Sequence, residues 1–468
     1  MMPPRDTWVR PSNRARLSNG AVDTCKNAEK ALFLTISRDR SLQKNGATFS
    51  YLDEMDAFFS RVRQRLSMDD LKLESPRLIP ILKDTKEMED GTLLVTCRPL
   101  SVYSSLEDKI ILSLTSRYLT RTLDRYLHEN ILSYRPPRRF YGKVHYITDF
   151  NDGIELIKAF RLAHDTSPIY AADCDLKKFY DTIPHQVVRD CFWRILNQSN
   201  LGDEGKHQVM RVVEAYLQSY NFYTNARLEA QKNDAVYAKV RKRLHDYEKR
   251  NTYQLGWADE LLGKPESELT HFGVPQGGAL SLLVANIVLN DVDKVFTDTP
   301  DSNRLFIRYC DDMILLHTDY QKCSQLMERY AESLKQHGLH YHDFKSVADG
   351  SRKEFWNIKS HLPFLWDDGD GNANRYIGFL GYELRRDGRI RLRKSNIQRF
   401  KEKFERQKYA FHRYRKKNTL EDTQKHKQKV LGNIINGIAF YQGLDLSLFK
   451  QGSQYKYLVK LHDKLVGQ

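Results

Sequence analysis

With 468 residues and a formal charge of +15, the chain is long enough to bury a large core over two or three subdomains, and its basic balance favours a polyanionic partner. Its 75 Lys and Arg are interspersed with 60 Asp and Glu, which describes a basic surface on a folded protein and excludes a disordered basic tail. The longest apolar run, Ala279 to Leu289, is about half of the roughly 20 residues needed to cross a bilayer and is broken by Ser281 and Asn286, so no membrane partner is expected.

The opening Met-Met-Pro-Pro-Arg-Asp lacks the basic-then-apolar layout of a secretory signal. Cys25, Cys97, Cys174, Cys191, Cys310 and Cys323 are scattered, with no Cys-x-x-Cys spacing. Neither a zinc site nor a disulfide framework is expected, and a reducing cytoplasm is the expected compartment.

Residues 1 to about 85 read as polar and helical, with Leu52, Met55, Phe58, Phe59 and Val62 at helical spacing. A short strand-like run, Leu93 to Pro99, leads to a long helix over roughly Leu106 to His128, where Ile110, Leu114, Leu119 and Leu123 face the core. Ser133 to Arg139 is a basic loop stiffened by Pro136 and Pro137. A helix over about Asp152 to Ala163 then precedes a strand, Ile169 to Leu176.

Residues 199 to 270 carry many charges and few large aliphatics, as a helical insertion would. Two apolar runs, Leu305 to Ile307 and Met313 to Leu316, enclose Arg308-Tyr309-Cys310-Asp311-Asp312 and predict a buried hairpin with paired acids at its turn. An amphipathic helix (Cys323 to Gln336) follows, then a loop ending Asp343-Phe344-Lys345 and a long loop through Asp367 to Gly371. Tyr376 to Leu384 is expected to pair with Arg389 to Arg393 about an Asp387-Gly388 turn. The remainder reads as helical, with Ile397, Phe400, Phe404 and Phe411 in one stripe among Lys and Arg.

Adjacent carboxylates repel unless cations neutralise them, so Asp311-Asp312 points to a divalent-metal site, although a surface turn also accommodates Asp-Asp. A second acidic strand end, Asp173-Cys174-Asp175, puts both acids on one strand face. Carboxylates from separate strands are what two Mg²⁺ ions about 4 Å apart require for phosphoryl transfer. Between the acidic stretches, Gly273-Val274-Pro275-Gln276-Gly277-Gly278-Ala279-Leu280-Ser281 forms a loop into an apolar helix, where a nucleotide can approach the backbone closely.

In this order, Asp175-Leu-Lys-Lys-Phe-Tyr-Asp181, Gly273 to Ser281 and Tyr309-Cys-Asp-Asp312 resemble the catalytic segments of reverse transcriptases over roughly Arg98 to Arg393. The resemblance implies an α+β right-hand polymerase: a β-α-β-β-α-β palm, helical fingers and a helical thumb. It implies an N-terminal extension (1–85), fingers (86–168), palm (169–198), a helical insertion (199–270), palm with the nucleotide loop and two hairpins (271–393) and thumb (394–468). Asp175, Asp311 and Asp312 become the catalytic residues and, with Leu176, the metal set for two Mg²⁺; Asp173 is structural. Tyr180 becomes the gate selecting dNTPs, with Arg135, Gln276, Gly277 and Lys345 also at the nucleotide. Phe379, Leu380, Gly381 and Tyr382 grip the primer, while Arg393, Lys394, Arg399, Lys403 and Arg406 track nucleic acid.

The Val-Pro-Gln-Gly-Gly loop most resembles the group II intron-like bacterial branch, although Ser281-Leu282 stands where that branch has Ser-Pro. No Cys/His endonuclease pattern follows the thumb, so the chain most resembles compact, standalone antiphage reverse transcriptases. This implies copying of a structured non-coding RNA into cDNA in the bacterial cytoplasm. A mobile-element enzyme, template-independent or protein-primed synthesis and a non-catalytic RNA-binding scaffold stay open, as does the oligomeric state.

Overall fold

The computed structural model describes residues 55–87, 93–135, 138–140, 143–145, 150–222, 271–346, 352–367, 374–394, 396 and 398. Two compact units emerge. The first joins Met1–Thr148, Leu176–Pro300 and Glu328–His342; the second joins Asp149–Asp175, Asp301–Met327 and Asp343–Gln468.

In chain order, helix α1 (Met55–Ser67) is followed by an antiparallel ribbon of β1 (Arg77–Glu87) and β2 (Leu93–Val102), with a bulge between Leu82 and Asp84. The expected all-helical character of residues 1–85 is corrected by β1, whose pairing to β2 is a contact outside any local window. Helix α2 (Leu106–Leu123) starts where the Ser105 side chain accepts from the Asp108 backbone N–H, and Glu107 and Asp108 suit the positive end of its dipole. It ends earlier than its periodicity predicts, tightening into a 3₁₀ turn at Asp124–Tyr126.

The short strands β3 (Arg138–Phe140) and β4 (Lys143–His145) pair with each other, and α3 (Phe150–Ala163) leads into β5 (Tyr170–Cys174). Then come α4 (Phe179–Thr182), α5 (His185–Gln198), α6 (Asp203–Gln218), α7 (Ser281–Val292) and α8 (Lys294–Thr297). The last part holds β6 (Arg304–Tyr309), β7 (Asp312–His317), α9 (Tyr320–Gln336), β8 (Phe344–Lys345), α10 (Arg352–Asn357), β9 (Ser360–Leu365), β10 (Tyr376–Phe379), β11 (Tyr382–Arg385) and β12 (Ile390–Leu392).

The first unit is a helical layer around α7, which packs on α5 and α2 while α6 packs on α5. Apolar all round, α7 buries Leu283, Val284, Ile287, Val288 and Leu289, each worth about 1.5–3 kcal/mol against exposure. Within it the buried Asn286 donates to the Ser133 carbonyl (2.8 Å) and accepts from the Ser133 hydroxyl (3.3 Å), which pins the loop before Arg135.

The second unit is built on a five-stranded sheet in the order β6-β7-β5-β9-β8, antiparallel except for β8 beside β9. Strands β6 and β7 place Leu305, Phe306 and Ile307 against Met313, Ile314, Leu315 and Leu316 in the core, as their apolar runs predict. No strand is predicted over Ser360–Leu365, where Pro363 and the absence of alternation hide β9.

The expected hairpin about Asp387-Gly388 forms, Tyr382 to Leu384 pairing with Ile390 to Leu392, and is corrected only over Tyr376 to Phe379, which make a separate strand paired with Tyr382 to Arg385. Leu380 (φ 48°) and Gly381 (φ 85°) turn the chain between β10 and β11, and β12 adds a third strand after Gly388. Two successive left-handed residues match the twist of a tight hairpin, so the turn overrides strand propensity there. The expected C-terminal helical stripe, with Arg399, Lys403 and Arg406, lies outside the described residues, as does most of the 199–270 insertion beyond Phe222.

Candidate active site

In the second unit the acidic residues gather at one end of the sheet. Cys174 pairs with Met313 across β5 and β7, and continuing that register by one residue sets Asp175 opposite Asp312. Tyr309 pairs with Asp312 across β6 and β7, leaving Cys310 and Asp311 as a two-residue turn with Cys310 at φ 58°. That conformation is costly for a residue with a Cβ, and a fully buried Arg308 beneath it donates to the Cys310 carbonyl at 3.0 Å.

Asp312 is exposed by surface area, yet its carboxyl is desolvated by the protein around it. Desolvation, followed by the like charges of Asp311 and Asp175, pushes it up to about 7, against an opposing pull from Arg393. Lys359 stands 3.6 Å from the Asp175 carboxylate, and the Asp175 backbone N–H donates to the Ser360 hydroxyl (3.0 Å). A carboxylate cluster that holds its own proton near neutrality and borrows Lys359 and Arg393 as counter-charges has the donor set of a hard divalent cation.

Asp173 is engaged differently. Both its oxygens accept from the His361 ring Nδ1 (2.9 and 2.8 Å), and one also accepts from the His361 backbone N–H (3.2 Å). Asp173, Asp175 and Asp312 line a cavity of about 140 Å³ together with Trp356, Lys359, Phe379, Leu380, Gly381 and Arg393. The Arg393 guanidinium lies 4.9 Å from the Trp356 ring centre, forming one wall. Tyr382 is buried beneath the turn, Lys394 is exposed, and Lys345 is exposed on β8 in register with His361.

The first unit holds the loop Gly273–Ser281. Gly273 (φ 88°) donates to the Ile183 carbonyl (2.8 Å) and Val274 to that of Tyr180 (2.7 Å), while Ser101 donates to the Gln276 carbonyl (2.9 Å). A Cβ on Gly273 would meet Phe222 and the Asp181 carbonyl at 2.9 and 3.0 Å, so only glycine fits. His185 Nε2 lies 2.7 Å from the Gly273 carbonyl and must donate to it; burial lowers this imidazole to about 4.

Half-buried Tyr180 therefore lies on the same segment as the loop's backbone anchors. The Gln276 side chain is held by Asp181, its amide donating at 2.6 Å to a carboxylate that is itself buried. Gly277 is exposed at φ 81°, and Leu176, at the start of this unit, bridges to Tyr341.

Arg135 is a correction. Its side chain is 2% exposed, and its Nε pairs with Asp124. One terminal nitrogen donates to the His128 and Ile131 carbonyls, the other to those of Asp124 and Leu127 (2.8–3.3 Å). Every donor is spent on closing the end of α2, leaving none for a triphosphate.

Lys359, His361 and Trp356 carry no sequence signal that marks them. Each reaches its partner through strand pairing or a loop closure between residues distant in the chain.

Residues 236–384 match the family model described as "Reverse transcriptase (RNA-dependent DNA polymerase)", a span that contains the glycine loop and the acidic hairpin but begins after Asp175. A search of curated proteins finds no match. Among solved structures, apo telomerase from Candida tropicalis is similar at 16% identity and TM-score 0.39, over 84% of this chain and 62% of that one. Telomerase from the same organism with a TWJ fragment of telomeric RNA gives 12% and 0.41 over the same shares. Telomerase from Candida albicans with a TWJ fragment gives 12% and 0.35, over 88% of this chain and 62% of that one. The chain thus spans about three-fifths of the length of these structures. The fold of the described residues is α+β.

Proposed function

We propose that this protein is a reverse transcriptase that adds dNTPs to a primer 3′-hydroxyl under the direction of an RNA template. The observation that carries the reading is the meeting of Asp175 with Asp311 and Asp312 at one sheet end, with the Asp312 carboxyl raised to about 7 by its crowding. Asp175, Asp311 and Asp312, with the Leu176 carbonyl, would hold two Mg²⁺. When bound, these ions supply activation of the attacking hydroxyl and charge stabilisation on departing pyrophosphate.

The chain's own residues do the positioning. Tyr180 is the candidate gate against a ribose 2′-hydroxyl, and Gln276, whose side chain Asp181 braces, is with Gly277 a candidate contact for the nucleotide. Lys345 is the candidate aid to pyrophosphate departure. The turn Phe379 to Tyr382, beside Asp175 and Asp312 in one cavity, is the candidate grip on the primer end, and Arg393 and Lys394 continue the basic path.

The finer reading is that the template is a structured non-coding RNA, copied to cDNA in bacterial antiphage defence in the cytoplasm. It is supported by the +15 charge and by the loop Val274-Pro275-Gln276-Gly277-Gly278.

The test is primer extension by protein purified without nuclease treatment, with Mg²⁺ and labelled dNTPs supplied singly and together. Product complementary to one co-purified RNA, lost in the Asp311→Ala, Asp312→Ala variant, is expected. Incorporation from a single dNTP that survives RNase removes the templated reading, and incorporation by the double variant removes the catalytic assignment.

A further inference from the structure

In the first unit, away from the glycine loop, Cys191 on α5, Asp291 on α7 and His337 just after α9 bring one ligand atom each to within 4.8 Å of the others. The Cys191 thiol donates to Asp291 Oδ2 over a long 3.8 Å, and His337 Nε2 is 3.6 Å from the same oxygen, beyond ordinary N–H···O range. A tetrahedral zinc ion with bonds of about 2.3 Å to sulfur and about 2.0 Å to oxygen and nitrogen sets its ligands roughly 3.3–3.6 Å apart. Two measured edges therefore lie a few tenths of an ångström from that requirement.

The histidine is oriented as a ligand. Its Nδ1 lies 2.7 Å from the Ser333 carbonyl, which only accepts, so Nδ1 carries a proton and Nε2 is turned toward Asp291 and Cys191. A ring N–H held by a backbone carbonyl is the arrangement that fixes tautomer and aim in metal-ligating histidines.

We propose that Cys191, Asp291 and His337 form a zinc site with one open position, which staples α5, α7 and the end of α9 and is independent of the carboxylates assigned to polymerisation. The donor set of thiolate, imidazole and carboxylate selects a borderline-soft ion over Mg²⁺.

Without metal, Asp291 already faces Arg194 at 2.7 Å and Lys294, and His337 is pushed up to about 10, chiefly by Asp291 and then by Cys191. Zinc takes cysteine as thiolate and histidine through an unprotonated nitrogen, so protons compete with the ion for these ligands. Affinity therefore rises with pH. Arg194, also 3.2 Å from the Cys191 sulfur, competes, but its side chain is half exposed and free to move aside.

The experiment uses the full chain, stripped with chelator, in the Asp311→Ala, Asp312→Ala background so that the other carboxylates take no metal. Zn²⁺ titration by calorimetry in two buffers of different ionisation enthalpy reads stoichiometry and released protons, and Co²⁺ reads a thiolate charge-transfer band. One ion per chain, up to two protons released and a cobalt–thiolate band are expected, with affinity at least tenfold weaker in Cys191→Ser and His337→Gln. Arg194→Gln, at a half-exposed side chain where folding is not at stake, should bind more tightly. Absence of the thiolate band, or affinity unmoved by all three substitutions, overturns the site. Neither result bears on primer extension by the parent chain.

Discussion

At Asp312 the folded chain holds a proton that the unfolded chain releases near pH 4, because its carboxyl is pushed up to about 7 by desolvation and by Asp311 and Asp175. Between those values the folded state binds more protons than the unfolded one, so this residue's contribution to stability falls as pH rises through 7. Mg²⁺ should therefore raise the melting temperature more at pH 8 than at pH 5.5, and Asp312→Asn should flatten that dependence. An equal Mg²⁺ shift at both pH values would sink the assignment. At Arg135 the structure reverses the expectation from its Tyr-Arg-Pro context. Arg135→Ala leaves Asp124 and four carbonyls short of a partner, so a loss of about 3–5 kcal/mol in urea unfolding is expected, with KM for dNTPs little changed. A raised KM at unaltered stability would restore the phosphate role.

Among the elements, the hairpin β6–β7 and the helix α7 are legible because their patterns are local: two apolar runs around a polar turn, and an apolar helix after a glycine loop. Strand β9 is not, since what makes His361-Leu362-Pro363-Phe364 a strand is its pairing with β5, nearly two hundred residues earlier. The β10–β11 turn is decided by backbone conformation. Gly381, at φ 85° and against Asn396, has no room for a Cβ without strain, so Gly381→Ala should cost about 1 kcal/mol or more and displace Phe379 and Tyr382. Primer affinity in filter binding should fall several-fold while KM for dNTPs stays within twofold. An unchanged primer affinity would remove the grip from this turn.

At the scale of the whole molecule the charge governs. With +15 formal charges, binding to RNA should weaken steeply with salt, by about 10³-fold between 50 and 200 mM if roughly six phosphates are contacted. A near-flat dependence in fluorescence anisotropy would remove the basic surface from recognition.

The sequence by itself determined the acidic hairpin, the glycine loop and the order in which they occur, because alternation, apolar runs and turn residues act over a few neighbours. Tertiary structure alone decided which charges meet. It spends Arg135 on closing a helix, sets Lys359 and Arg393 beside the acids, braces Gln276 with Asp181 and ties Asp173 to His361. The cysteines show the same division. Their spacing excludes a zinc motif, yet packing of three helical segments delivers Cys191, Asp291 and His337 to one point, and proximity made by packing leaves no trace in spacing.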